Sequence, residues 1–217
     1  VYDAPQLLEP PEIIRNQDGD IIITPVDEES EVYYTMDGSE PKPDSKKYAK
    51  PIPTDGKIQV SAIAYEASTG KSSPVSNEKF DLPRKNWKIV GIEDKKAYAL
   101  LDGDQETAWH QSKDKKLPID LVIDMGKQQN IRGFRYFPDQ ALWGPGIISH
   151  YKFYVSNDNK NWKLVDEGEF SNIKNNPLWQ VKTFKPERAR YFKFRALGNT
   201  ENNNNIGYAE INLITSD

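Results

Sequence analysis

The chain has 217 residues, 36% of them hydrophobic and 29% charged, no cysteine and a formal net charge of −4. That length suits one large or two ordinary domains, and the missing cysteine excludes both a disulfide framework and a thiolate metal site. No apolar run approaches the ~18 residues of a membrane span, and without a long basic run nucleic acid is not an expected partner.

The texture of the chain changes at one place. Residues 1–84 hold 16 acids and 9 bases, and residues 85–217 hold 17 acids and 20 bases, so the two parts differ in sign. Ten of the 15 prolines precede Arg84, whereas all five tryptophans follow it. The polar, proline-bearing stretch Phe80 to Asn86 reads as a linker, which puts one domain at 1–84 and another at 85–217.

In the first part the apolar runs are short and β-branched: Ile21 to Thr24, Val32 to Met36 and Ile58 to Tyr65. In the last of these Ile58, Val60, Ala62 and Ala64 recur every second residue, as one dry strand face requires. Asp18-Gly19, Asp37-Gly38 and Asp55-Gly56 supply turns, and prolines 41, 43, 51 and 53 exclude a helix between them. A small β-sandwich is predicted.

The second part repeats the pattern with longer strands, expected at Ile119 to Met125, Ile131 to Phe137, Tyr151 to Ser156, Val181 to Phe184, Tyr191 to Ala196 and Ala209 to Ile214. No stretch keeps a helical period beyond about two turns. The whole chain is therefore expected to be all-β, its second part a sandwich or jelly roll.

Catalytic signatures are thin. The two histidines, His110 and His150, stand without a Gly-x-Ser-x-Gly elbow, and no phosphate-cradling glycine loop occurs. His150 opens a predicted strand and reads as structural. Asp102-Gly103-Asp104 fits either an Asx turn or an oxygen-ligated cation loop, though not an EF-hand, because Thr107 and Lys113 stand where that loop needs glycine and glutamate. Trp143 lies in a loop and is either an exposed ring for a pyranose face or a lid over the sandwich end. Trp87, Trp109 and Trp162 adjoin apolar runs and are expected in the core; Trp179 is open to either reading.

The motifs "LDGDQETAWHQS", "PIDLVIDMGKQQNIRGFRYFPDQ", "ISHYKFYVSNDNKNWKLVDEGEF", "ARYFKFRAL" and "YAEINLI" together resemble a discoidin, or coagulation factor 5/8 type C, module, and among carbohydrate-binding modules those of family 32. Upstream, "VYYTMDGSEPKPDSKKYAKPI" with "IQVSAIAYEASTGKSSPVS" resembles the immunoglobulin-like or fibronectin-III-like domain on the C-terminal side of chitobiase and hexosaminidase catalytic domains. With "VYDAPQLLEPPEI" in front, the arrangement is similar to the tail of a bacterial family 29 α-L-fucosidase, a family 20 β-hexosaminidase being the close alternative.

The resemblance implies an immunoglobulin-like spacer followed by a galactose-binding-like jelly roll. It implies a segment without catalysis of its own that holds a glycoside hydrolase on glycans, or else only packs on the catalytic domain. A structural calcium is implied, held by Asp102, Asp104, Thr107 and Glu210. So is a sugar site with His110 as its imidazole. Asp139 stands where the family carries an arginine, and the Asn202 to Asn205 loop, with Asn205, stands where it often carries a ring. Stacking would fall to Trp143 or Tyr208. The partners implied are terminal galactose, fucose or N-acetylhexosamine and a catalytic domain of the same chain, in a periplasmic or extracellular setting.

Overall fold

The computed structural model describes residues 7–111, 114–141 and 146–216. The chain divides into two compact units, Val1–Pro83 and Arg84–Asp217. Among the described residues no helix is long and apolar enough to cross a membrane.

The first unit contains β1 (Glu12–Arg15), β2 (Asp20–Thr24), β3 (Glu31–Thr35), β4 (Lys46–Lys47), β5 (Ile52–Pro53), β6 (Ile58–Glu66), β7 (Lys71–Ser72) and β8 (Ser76–Phe80). They form a three-stranded sheet, β1-β2-β5, and a five-stranded sheet ordered β4-β3-β6-β7 with β8 also on β6. The period-two apolar pattern aims Ile13, Ile21, Ile23, Val32, Tyr34, Val60 and Ala62 into one core. Gly19, at φ +90°, turns β1 into β2, and a Cβ there would lie 2.7 Å from the Thr54 carbonyl oxygen.

The second unit begins with β9 (Lys88–Val90) and a 3₁₀ helix over Lys95–Leu101, followed by β10 (Trp109–His110), β11 (Ile119–Phe137), β12 (Ile148–Ser156), β13 (Lys163–Glu169), β14 (Gln180–Asn199), β15 (Gly207–Tyr208) and β16 (Glu210–Thr215). The helix was not expected. It spans 7 residues, too few for a periodic signal, and Asp94 caps it by accepting from the Lys96 N–H. Two pairs of predicted strands also prove continuous. Ile119 to Met125 and Ile131 to Phe137 are both in β11, and Val181 to Phe184 and Tyr191 to Ala196 are both in β14. Register shifts between Asp124 and Gln129, and again between Ile131 and Gly133, bend the β11–β14 ladder without ending it.

That bend builds the sandwich. The first half of β11 pairs with β9 and with residues 191–196 of β14, and its second half pairs with residues 180–189 and with β16. Phe134, from the second half, stacks on Phe153 of β12 with ring centroids 4.5 Å apart and meets Phe194 edge-on at 5.5 Å. Phe134 pairs with Lys182 in the first half of β14 and Phe153 with Phe194 in its second half, so the bend folds the two halves face to face and this contact crosses between them. Tyr151, Phe153, Phe192, Phe194, Phe134 and Tyr136 are at most 1% exposed, and each buried ring supplies about 1.5–3 kcal/mol. Packing carries the stability of a unit that has no disulfide.

Candidate functional site

The loops that end β10, β11 and β14 meet at one end of the second unit. The Gln111 N–H donates to the Ile206 carbonyl, Thr200 N–H to Ile147, Gly207 N–H to Gly146, and Leu117 N–H to Asn204 Oδ1. Tyr136 fastens this end from within: its hydroxyl donates to the Gly207 carbonyl at 2.8 Å and accepts from the Ile148 N–H at 3.2 Å. Gly146 lies in the left-handed region at φ +58°, and a Cβ there would come within 2.7 Å of Asn205 C and Ile206 N. Backbone therefore packs directly on backbone where Gly146 meets Asn205 and Ile206.

At this end β10 and β15 form a two-residue ribbon, Trp109 opposite Tyr208 and His110 opposite Gly207. Strand alternation sends Trp109 inward, 4% exposed, and His110 outward. The His110 side chain is 40% exposed, and its Nε2 lies 3.0 Å from Asp139 Oδ2, whose side chain is 16% exposed. Asp139 is itself fixed, because Oδ1 accepts from the Ala141 N–H at 2.9 Å, and the neighbouring Gln140 amide donates to the Pro177 carbonyl at 2.7 Å. Two residues 29 positions apart thus form one acid–imidazole pair facing solvent.

The other expected sugar-site residues divide. Asn205 is half-buried, with its N–H on Asn203 Oδ1 and its carbonyl accepting from the Asn199 amide at 2.6 Å. The loop it belongs to is organised around Asn199, whose Oδ1 also accepts the Glu201 and Asn203 N–H groups. Tyr208 does not offer a ring to a ligand: it is 0% exposed, stacked on Trp109 at 6.2 Å and edge-on to Tyr136 at 5.6 Å. The register of the ribbon decides this, since Tyr208 shares the inward parity of its partner Trp109. Trp143 lies outside the described residues.

The remaining tryptophans are accounted for. Trp87 is core, as expected. Trp162 is not: it is half-buried, with the Lys193 ammonium 4.3 Å from its ring. Trp179, also half-buried, leans on Phe137 at 5.1 Å and carries the Arg135 guanidinium at 4.4 Å. His150 is exposed, bridging Glu169 at 3.2 Å and Ser149 Oγ at 2.9 Å, a strand-to-strand link.

Of the expected metal ligands, Asp102 and Thr107 touch directly, and Glu210 meets the same loop at Gly103. Thr107 Oγ1 donates to Asp102 Oδ2 at 2.8 Å and lies 3.2 Å from the Asp104 carbonyl oxygen. Glu210, only 2% exposed, accepts from the Gly103 N–H at 2.5 Å. The Asp104 carboxylate turns aside to cap the Glu106 N–H at 2.8 Å, so Asp104 contributes its carbonyl to this corner. No group of three or more His, Cys, Asp or Glu gathers among the described residues. Asp102, Thr107 and the Asp104 carbonyl form an oxygen-rich corner of the kind a hard cation takes, while the two Glu210 oxygens accept from Gly103 N–H and Arg84.

One partner was not anticipated. Arg84 Nη1 lies 2.5 Å from Glu210 Oε2 and also donates to the Ile211 carbonyl at 3.3 Å, with Arg84 and Glu210 side chains 7% and 2% exposed. Burial nevertheless pushes the Glu210 carboxyl up to about 7, against the pull of Arg84 and the Gly103 N–H and with help from nearby Asp102. Desolvation outweighs one guanidinium here. No local spacing could reveal a pair 126 residues apart; the only hint was an acid in the apolar strand "YAEINLI", which needs a partner once buried.

The sequence matches the F5/8 type C domain family over residues 84–211 and the Fn3-associated family over residues 21–80. No curated protein matches the chain. Among solved structures it is similar to a CBM32 module from Clostridium perfringens in complex with GalNAc-β-1,3-galactose, at 23% identity over 61% of this chain and 98% of that one, with a TM-score of 0.54. A second, CBM32-3 from a family 31 glycoside hydrolase of Clostridium perfringens, is 28% identical over 61% and 93%, with a TM-score of 0.52. The C-terminal domain of a chitobiase from Bacteroides fragilis is 23% identical over 61% and 95%, at 0.52.

Proposed function

The chain belongs to the F5/8 type C domain family, and from that premise we propose that its second unit is a non-catalytic module that holds a glycoside hydrolase on terminal galactose, fucose or N-acetylhexosamine residues. The observation that carries this is the His110–Asp139 pair at 3.0 Å, set on a hydrogen-bonded loop end with its imidazole open to solvent. A hydroxyl-rich ligand needs such convergent donors and acceptors. The similar module bound to GalNAc-β-1,3-galactose and the hydrolase origin of CBM32-3 support the reading. The parent enzyme we propose is an α-L-fucosidase, with a β-hexosaminidase as the alternative, in a periplasmic or extracellular setting.

The deciding experiment is titration of the chain with galactose, fucose and N-acetylhexosamines, followed by NMR. Chemical-shift changes centred on His110 and Asp139 are expected. No change near His110 at millimolar sugar would instead favour accessory units that only pack on a catalytic domain. Burial of Tyr208, which removes one candidate stacking ring, is the observation on that side.

The proposal extends to calcium. The Asp102 carboxylate, Thr107 hydroxyl, Asp104 carbonyl and Glu210 carboxylate would hold it, and the ion would supply fixed positive charge tying the loop after the 3₁₀ helix to β16. Added calcium is expected to raise the unfolding temperature of the wild type and not of Asp102→Ala. An equal rise in both, or none in either, would rule this site out.

A further inference from the structure

Building on the glycan reading above, we infer that Asp139 is the positioning residue of the site. It holds the His110 imidazole with Nε2–H directed at its carboxylate, so that Nδ1 meets the ligand as a hydrogen-bond acceptor. The reasoning is one of donor and acceptor count. An ionised carboxylate only accepts, so the 3.0 Å contact between Asp139 Oδ2 and His110 Nε2 requires the proton on Nε2. A neutral imidazole has one donor and one acceptor, which leaves the lone pair on Nδ1. Nδ1 has no partner among the described residues, and the side chain is 40% exposed.

Both ends of the pair are anchored, so the orientation is a property of the fold. The His110 backbone is paired with Gly207, and the next residue, Gln111, donates its N–H to Ile206. Asp139 is held through Ala141 N–H, and its neighbour Gln140 through the Pro177 carbonyl. Had the ring been free, either nitrogen could have faced a ligand.

The consequence is a ligand class. An acceptor at the contact point selects a group that donates, namely a sugar hydroxyl or an amide N–H. The fixed negative charge of Asp139 disfavours an approaching carboxylate. The site therefore takes a neutral sugar with a free hydroxyl and rejects its uronic acid.

Two measurements test this. First, long-range ¹H–¹⁵N spectra of the sugar-free chain at about pH 8, above the ordinary imidazole range, are expected to show a protonated Nε2 and a bare Nδ1 for His110, with a persistent Nε2–H proton. Asp139→Ala should lose that proton signal to exchange, while Asp139→Asn controls for loss of the loop bond to Ala141. A proton on Nδ1, or an unchanged Nε2–H signal in Asp139→Ala, would overturn the inference. Second, monodeoxy and monofluoro derivatives are titrated for whichever of galactose, fucose and N-acetylgalactosamine binds. At one hydroxyl both derivatives should weaken binding about tenfold, the loss of one charge-free hydrogen bond in a desolvated contact, because fluorine accepts but cannot donate. Full affinity of every fluoro derivative would sink the acceptor role. Failure of all three sugars to bind would count against the glycan reading, whereas the imidazole spectra decide the role of Asp139 without any sugar.

Discussion

Replacing Arg84 with methionine would keep most of the stem volume and remove the cation from Glu210 Oε2, 2.5 Å away in a site where both side chains are at least nine-tenths buried. Breaking such a pair by deleting one partner costs about 3–5 kcal/mol, because the other charge stays buried and uncompensated. The Gly103 N–H remains on Glu210 Oε1, so the lower end, about 3 kcal/mol, is the expected loss at about pH 9, where the wild-type carboxyl is ionised. At a urea slope of about 2 kcal/mol per molar, the unfolding midpoint would fall by about 1.5 M. All five tryptophans lie after Arg84, so their fluorescence, read in the presence of EDTA, reports the second unit alone. The pH dependence has a definite sign. The Glu210 carboxyl already sits above its ordinary 4.5, and losing Arg84 raises it further. The penalty should be small below about pH 7, where the folded carboxyl is protonated with or without Arg84, and grow as pH rises above it. Arg84→Met/Glu210→Gln, which keeps an acceptor for Gly103 without the charge, should recover most of the loss. A double variant no more stable than Arg84→Met, or an Arg84→Met midpoint equal to wild type, would refute the charge argument.

Other expectations follow from the same loop end. Tyr136→Phe strips partners from the Gly207 carbonyl and the Ile148 N–H and should cost about 2–3 kcal/mol. Tyr208→Phe removes a buried hydroxyl that has no partner among the described residues, and should be neutral or stabilising by up to about 1 kcal/mol; paired urea titrations compare the two. Gly146→Ala pushes a Cβ into Asn205 and Ile206 at a left-handed φ and should lower stability by about 1–3 kcal/mol, with amide shifts spreading to His110 through Gly207. Asp124 is held below the usual carboxylate range by a bidentate Arg190 pair, both contacts 2.8 Å, against the opposing effect of burial. That stabilisation is present above about pH 3.8, the unperturbed value, and is lost as pH falls through the depressed one. Asp124→Asn should therefore be less stable than wild type at neutral pH and indistinguishable from it near pH 2.

Much of the architecture was legible in local pattern. Alternation at Val60 and Ala62, and at Phe192 and Phe194, is enough to declare strands, and the shift in proline and tryptophan content marks a change of texture near Arg84; that Ser61, Ile63 and Lys193 on the other faces are buried too was not legible. The residues around the loop end could be nominated too, since His110, Asp139, Asp102 and Thr107 sit in recognisable motifs. Local pattern failed where a break in alternation had two meanings: residues 126–130 and 185–190 fell between predicted strands, yet they lie within β11 and β14, because a bulge and a turn use the same polar residues.

Which nominated residues face solvent was decided only by tertiary structure. Tyr208 and His110 occupy facing strands of one ribbon, and register alone buries the first and exposes the second. Arg84 reaches Glu210 across 126 positions, and Asp139 reaches His110 across 29. A sequence window specifies backbone preference and the face on which a side chain stands, because those depend on near neighbours; the partner a polar group finds depends on how layers stack and strands slide, which no window contains.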